Sequence, residues 1–433
     1  MEIEKELEKL TIRKKAISIV FIGHVDAGKS TTGGQVLYLA GKVDKRTLEK
    51  YEKDPKDKSK EATHFSWALD SNPEEREKGR TTELGHASFE IEQRSMQILD
   101  APGHRMYVPN MILGVNQADV AVLVISAKQN EFEAGFEKGG QTKEHVYLAK
   151  ASGISKVCVL INKMDDASVH WSEERYGQII ATTKKMLHAL FGKESVTYIP
   201  ISGAQGDNIK NRVGSEQCAW YAGPTFFEYL NGLEIEREKD AMLYATVTDT
   251  VKETANAFAL LRVERGVLEK AQYKLMPGSR KITVVAVFKE EEEAESAESG
   301  DIVRARIKEP DEIFPGDVIC AQEYAETVDS NCFLAQISLL DAKSLISKGY
   351  AAIMHMGART IPVTIGEMYR KEEGKIKKLV FAKAGDKFVA EIQTKEEIPL
   401  EICLANRRSG IFTIRDETRT VGFGKVQKIK EKK

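Results

Sequence analysis

The sequence predicts a doubly wound, mostly parallel α/β domain followed by two small antiparallel β-barrel domains, and three observations carry that expectation. Short, near-continuously apolar runs alternate with helical patterns through the first part of the chain. After Tyr229 the texture changes to short strand-like runs separated by turn dipeptides. A glycine-rich loop ending in Lys-Ser closes the first apolar run, at the sheet edge where open α/β folds take their ligands.

Taken in order, the apolar runs Ala16–Ile22, Ser95–Leu99, Asp119–Ile125 and Val157–Ile161 read as buried strands, and the pattern persists to Tyr198–Ser202. Thr31–Gly41, Thr142–Ala151 and Ser172–Leu190 read as helices between them. A charged bridge, Glu234–Asp240, leads into strand-like Leu243–Thr248, Phe258–Val263, Ala271–Met276 and Lys281–Phe288. Pro277-Gly278 and Pro315-Gly316 punctuate them at barrel-like spacing. The polar stretch Gln322–Asn331 reads as a second linker before Cys332–Leu340. The expected plan is a short charged N-terminal segment (1–15), a nucleotide-binding domain (16–236), and β-barrels over 237–326 and 327–433. The acidic run Lys289–Asp301 reads as a solvated loop, and Lys42–Glu61 as an exposed, charged helix.

The 433 residues exceed one ordinary core. No run of roughly 18 apolar residues occurs, so no membrane-spanning helix is expected. Lys+Arg (64) nearly cancels Asp+Glu (66), which argues against a nucleic-acid coat or polybasic membrane binder. That balance averages an acidic stretch at 289–301 with a basic C-terminal stretch from Arg407, so it bears only on the chain's overall field. The five cysteines (Cys158, Cys218, Cys320, Cys332, Cys403) are scattered without metal-ligand spacing, which fits a reducing, cytoplasmic setting and not zinc.

Gly23-His24-Val25-Asp26-Ala27-Gly28-Lys29-Ser30 matches the phosphate-loop pattern, with Thr31 opening the expected helix. Its glycines let backbone N–H groups turn inward around phosphate oxygens at a positive helix end. Lys29 would reach the β- and γ-phosphates, and the Ser30 hydroxyl would ligate Mg²⁺. Asp100-Ala101-Pro102-Gly103 closes the next motif-bearing strand. There Asp100 would hold a magnesium-bound water, and Gly103 would offer its N–H to the γ-phosphate. Asn162-Lys163-Met164-Asp165 follows a later strand; the Asp165 carboxylate would accept both guanine N1–H and the 2-amino group, a pair adenine lacks. Asn162 would brace that loop, the Lys163 stem would cover the base, and Ser202-Gly203-Ala204 would supply an N–H to guanine O6. Singly each motif is also an ordinary turn or strand exit. Their order, each at the C-terminal edge of an expected strand, is what a P-loop GTPase requires.

With GHVDAGKST (23–31), DAPGH (100–104), NKMD (162–165) and two trailing β-domains, the chain resembles the translational GTPases that deliver tRNA or tRNA-like proteins to the ribosome. Within them it is most similar to the release-factor GTP-binding subunits, through Phe65–Asp70 (FSWALD), Glu74–Thr81 (EEREKGRT) and Glu131–Thr142. The resemblance implies GTP/GDP and Mg²⁺ as ligands, with Ser30, Thr81 and Asp100 on the metal. It further implies His104 orienting the attacking water, Val25 gating it, and Lys29 and Thr81 completing the catalytic set. The implied partners are the ribosome and a class-I, stop-codon-reading release factor held by the C-terminal barrels, with no stable tRNA binding. A ribosome-rescue GTPase, an aminoacyl-tRNA elongation factor and a non-hydrolysing GTP-dependent scaffold are the alternatives. Gly410–Asp416 (GIFTIRD) resembles a partner-docking motif of that subgroup, with Ile411 where the motif has arginine.

Overall fold

The structure, a computed structural model, describes residues 16–44, 46, 65, 69, 81, 84–92, 94–136, 140–237, 241–253, 256–289, 292–308, 312–340, 345–372, 375–404, 408–416 and 419–430. The expected N-terminal segment, most of Lys42–Glu61 and most of the FSWALD and EEREKGRT runs lie outside the described residues. Two compact units result, the first closing at Ile235 and the second running from Glu236 onward.

The first unit is built on a sheet of β1 (Ile17–Ile22), β2 (Gly85–Ile91), β3 (Arg94–Asp100), β4 (Val120–Ser126), β5 (Lys156–Asn162) and β6 (Val196–Pro200), in the order β2-β3-β1-β4-β5-β6. Every pairing is parallel except β2 with β3. All residues of β1 and β4 are buried, as strands covered on both faces must be, which is why they read as unbroken apolar runs. The helices with described bounds are α1 (Lys29–Leu39), α2 (Val108–Gln117), α3 (Glu131–Phe136), α4 (Gln141–Ala151), α5 (Glu173–Phe191), α6 (Ser215–Cys218) and α7 (Phe226–Asn231). Ser172 caps α5 by accepting from Arg175 N, and Thr225 with Glu228 forms a capping box on α7. Phe226 and Phe227 of α7 fasten the helix to the sheet, their rings 6.3 Å from those of Phe21 and Phe89. Burying aromatics of this size contributes roughly 2–3 kcal/mol each.

The second unit holds two closed six-stranded antiparallel rings. The first ring and its flanking short strands are β7 (Tyr244–Glu253), β8 (Asn256–Arg265), β9 (Val267–Glu269), β10 (Gln272–Met276), β11 (Arg280–Lys289), β12 (Glu292–Ala294), β13 (Ser296–Glu298), β14 (Ile302–Lys308) and β15 (Val318–Cys320). The order β10-β15-β7-β8-β14-β11 closes through a β10–β11 ladder. The second ring and its flanking short strands are β16 (Val328–Leu339), β17 (Ile346–Ser347), β18 (Ala351–Met356), β19 (Arg359–Glu372), β20 (Lys375–Leu379), β21 (Phe381–Ala382), β22 (Lys387–Leu400), β23 (Ile411–Asp416) and β24 (Arg419–Ile429). Here β18-β23-β24-β16-β22-β19 closes through β18–β19. Each ring encloses its own apolar core, with Leu261, Val284 and Ile319 in one and Phe333, Ile392 and Phe412 in the other.

Three readings of local sequence change. The acidic run carries the short strands β12 and β13, paired to β11 and β9, because its alternating Glu residues point out while Ala297 is buried. The supposed linker already contains the start of β16: Val328 and Asp329 pair with Leu400 and Pro399. Strand β2 was absent from the sequence reading; its burial alternates with exposure, as befits the edge of the sheet.

Candidate nucleotide-binding site

The phosphate loop joins β1 to α1 through two positions that tolerate little but glycine. Gly23 (φ 145°) packs so closely on the carbonyl of Val124 that a Cβ would collide with it. Gly28 (φ 91°) caps α1, and a Cβ there would meet the Asn162 amide. Asp26 also takes a left-handed backbone (φ 60°) and is exposed, while Ala27 is buried. Lys29 is 7% exposed, and its Nζ donates to the His24 carbonyl at 2.9 Å. Burial pulls the Lys29 ammonium below its ordinary pKa, opposed by the charges of Asp100 and Asp26. His24, half-buried, is likewise lowered by burial and by Lys29.

The loops after β3, β5 and β6 converge on this one. Asp100 is fully buried. Gly103 lies against the phosphate loop, where a Cβ would collide with Lys29 Nζ and stand 3.2 Å from the Gly23 carbonyl oxygen. Asn162 is the common brace. Its Nδ2 donates to the Ala27 carbonyl at 2.9 Å, and its Oδ1 accepts from Lys163 N and Gly203 N, each at 2.8 Å. Ser202 is buried and its Oγ accepts from Gln205 N at 3.1 Å; Ala204 is exposed. Asp165 is half-buried beside Asp207, whose carboxyl is pushed up by burial and by the Asp165 charge. Lys163 sits at φ 62°, and its Nζ donates to Glu131 Oε2 at 2.7 Å. Burial alone would raise the Glu131 carboxyl; hydrogen bonds from Lys163 and Ser126 outweigh it and hold the pKa below the usual range.

Ser30 Oγ and Thr81 Oγ1 are 3.0 Å apart, which brings the residue expected from the first switch onto the phosphate loop. These two hydroxyls and the buried Asp100 carboxylate are hard oxygens, the donor type that magnesium prefers. Among the described residues there is no group of three or more His, Cys, Asp or Glu side chains able to hold a metal. His104 is held within its own loop: Nδ1 accepts from Met106 N at 3.3 Å, and the ring lies 6.0 Å from that of Tyr107. Val25 and Thr31 are half-buried on the phosphate loop.

One anchor escaped the sequence reading. His145 on α4 is fully buried, and its Nδ1 accepts the Gly23 N–H at 3.1 Å, tying the first residue of the loop to the helix. Nothing in the sequence around His145 separates it from a surface histidine; only the packing of α4 reveals the partner.

A parallel sheet, a glycine-rich loop leading into a helix, and four loops at one sheet edge define a P-loop nucleotide-binding domain. A family model for the elongation factor Tu GTP binding domain matches residues 14–273, and one for the GTP-eEF1A C-terminal domain-like fold matches 332–427. The chain belongs to the elongation factor Tu GTP-binding domain family. It is 41% identical over 99% of its length to the eukaryotic peptide chain release factor GTP-binding subunit of Schizosaccharomyces pombe, and 40% identical over 99% to that of Debaryomyces hansenii. It spans 66% and 62% of those two relatives' lengths, a little under two thirds. Among solved structures it is similar in fold to the GTPase-like domain of S. cerevisiae Ski7 bound to GTP (TM-score 0.78, 17% identity), covering 98% of this chain and 99% of that one. It also resembles the elongation factor SelB of Methanococcus maripaludis (TM-score 0.68, 18% identity), covering 96% of this chain and 80% of that one.

Proposed function

We propose that this chain is a GTP hydrolase that partners a class-I release factor and acts on the ribosome in translation termination. The observation that carries the nucleotide half is the convergence of three loops on Asn162, which links phosphate loop, base loop and the Ser202–Ala204 loop. The termination half is supported by 41% identity over 99% of the chain to a release factor GTP-binding subunit.

In this reading the backbone N–H groups of Gly23–Thr31 cradle the α- and β-phosphates, Lys29 neutralises charge on the β- and γ-phosphates, and Gly103 donates to the γ-phosphate. Asp165 selects guanine. Because the Gly203 N–H is engaged by Asn162, the bond to O6 falls to Ala204. Ser30, Thr81 and Asp100 would hold Mg²⁺, whose chemistry is to offset the charge shared by the β- and γ-phosphates. His104 orients water, and its local bond to Met106 N keeps the ring in its own loop until the ribosome moves it past Val25. Phosphoryl transfer asks for positioning and charge compensation more than covalent help, so an off-site histidine makes hydrolysis slow until triggered.

The class-I factor is assigned to the second unit. Within Gly410–Asp416 the side chains of Phe412, Ile414 and Arg415 are buried, so Ile411 and Asp416 are the positions of that motif left to face a partner. Asp416 is already bonded by the Tyr350 hydroxyl at 2.5 Å. No helix among the described residues is long and apolar enough to cross a membrane.

Pull-down with a class-I release factor, a release-factor-like rescue protein and charged tRNA tests the proposal. Retention of the class-I factor supports it. Preferential capture of the rescue protein or of tRNA overturns the termination reading and leaves the guanine site standing. His104→Ala should keep GTP binding and lower ribosome-stimulated turnover by about a hundredfold or more, the scale of losing a positioned proton-transfer group. Unchanged turnover would remove His104 from the mechanism.

A further inference from the structure

Helix α3 and the start of α4 belong to none of the four nucleotide loops, yet they are fastened to two of them. On the base side, Glu131 of α3 accepts from Ser126 Oγ and from Lys163 Nζ, each at 2.7 Å. Lys163 is the residue whose stem would lie on the purine. On the phosphate side, Gly135 of α3 packs so near that a Cβ would stand 3.2 Å from His24 Cβ, and Gln141 of α4 stands beside the same imidazole.

The helix is itself locked to the sheet edge. Arg175 donates from Nε to the Ala127 carbonyl (2.8 Å) and from Nη2 to the Lys128 carbonyl (3.2 Å), and pairs through Nη1 with Glu133 (3.0 Å). Its guanidinium lies 5.5 Å from the Phe132 ring centroid, and Phe132 stacks on Phe136 at 5.6 Å. Glu131 therefore stands on a fixed platform and is not a mobile surface carboxylate.

We propose that Glu131 is a positioning residue for the guanine nucleotide: it holds Lys163 over the purine plane and so sets how long the nucleotide stays bound. The inference rests on the guanine reading of the site. A free lysine stem loses rotamer freedom when it is laid on a base, and that loss weakens binding. Anchoring the ammonium beforehand to a carboxylate on a rigid helix removes part of the loss and supplies a charge-assisted bond that persists in the complex. Lys163 itself takes a left-handed backbone (φ 62°) at the exit of the strand, and its ammonium is held by Glu131. Affinity gained this way shows mainly as slower dissociation.

The test follows release of a fluorescent GDP, and of a fluorescent non-hydrolysable GTP analogue, from the purified full chain by stopped flow. Glu131→Ala should speed release about tenfold and Glu131→Gln about threefold, the scale of one charge-assisted bond weakened or neutralised. Both nucleotides should respond by the same factor, because the contact lies at the base; general damage to the phosphate loop would separate them. Lys163→Ala should speed release too, and Glu131→Ala should add nothing in that background. Wild-type release from a folded Glu131→Ala protein, or additivity of the two substitutions, overturns the proposal, and the near-isosteric Glu131→Gln decides if Glu131→Ala fails to fold. Failure of the unmodified chain to bind GDP at all would instead sink the guanine reading on which the proposal stands.

Discussion

In the proposed site, guanine recognition rests on one carboxylate, Asp165, set to accept from both N1–H and the 2-amino group. Asp165→Asn replaces an acceptor pair with an acceptor and a donor, so GTP loses one bond and meets a clash of donors, whereas xanthosine nucleotides offer the complementary acceptor. GTP affinity should fall by a hundredfold or more, roughly the cost of unpairing a buried charged bond, and XTP affinity should rise. Competition binding with GTP and XTP reads both changes, and undiminished GTP affinity would remove Asp165 from the base contact. The residue types at such positions are what a single sequence displays well. Lys29, Asp100, Asn162 and Asp165 were all nameable because chemistry restricts which side chains fit a phosphate or a guanine edge. Their supports were not. His145 on Gly23 and Glu131 on Lys163 join residues 122 and 32 positions apart, and no local pattern encodes such a pairing.

Among the elements, burial decided which were legible. β1, β4 and β5 read plainly because two covered faces demand an unbroken apolar run. β2 and β12 did not, because an edge strand shows one polar face, and a run of glutamates reads as solvated chain whether or not it pairs. A consequence at the same scale concerns β18. His355 is buried against Arg415 of β23, with Thr360 of β19 at 3.1 Å and Thr413 opposite in register. Burial, then the Arg415 charge, depress its pKa to about 4 from an ordinary 6.5. The unfolded chain therefore takes up this proton first. The stabilisation is whole above about pH 6.5 and is lost as pH falls towards 4, by an amount on the order of 3 kcal/mol. Urea unfolding of the second unit at pH 7 and pH 4.5 should show that loss, and His355→Gln should flatten it. Equal slopes with pH in the two proteins would assign the acid sensitivity elsewhere.

For the molecule as a whole, a buried charge pair joins the two rings of the second unit. Arg265 Nη2 lies 3.0 Å from Glu401, the side chains being 7% and 2% exposed; Tyr324 and Thr327 hydroxyls also donate to Glu401, at 2.6 and 3.0 Å. The Arg265 guanidinium lies 4.5 Å from the Tyr244 ring centroid. A pair so desolvated gains little over an apolar substitute, but removing one partner strands the other. Glu401→Ala should therefore destabilise the second unit by about 3–5 kcal/mol, and the Arg265→Met/Glu401→Leu double substitution by much less. Chemical denaturation monitored by tyrosine fluorescence measures both, and similar losses in the two variants would show that packing matters there more than charge.

Ring closure carries a consequence in time. In the second ring β24 lies between β16 and β23, pairing Phe333 with Ile429 and Thr413 with Phe423. A chain growing from its N-terminus holds β16 long before the strand that joins it to β23 exists. Until Arg419–Ile429 emerges, both neighbours keep an open edge of unpaired N–H and C=O groups, whereas the strands of the first unit's sheet are complete once Pro200 has been made. The last eleven-residue strand is thus the latch of this ring, and a ribosome that stalls or terminates before Arg419 leaves a chain whose exposed edges invite pairing with another copy.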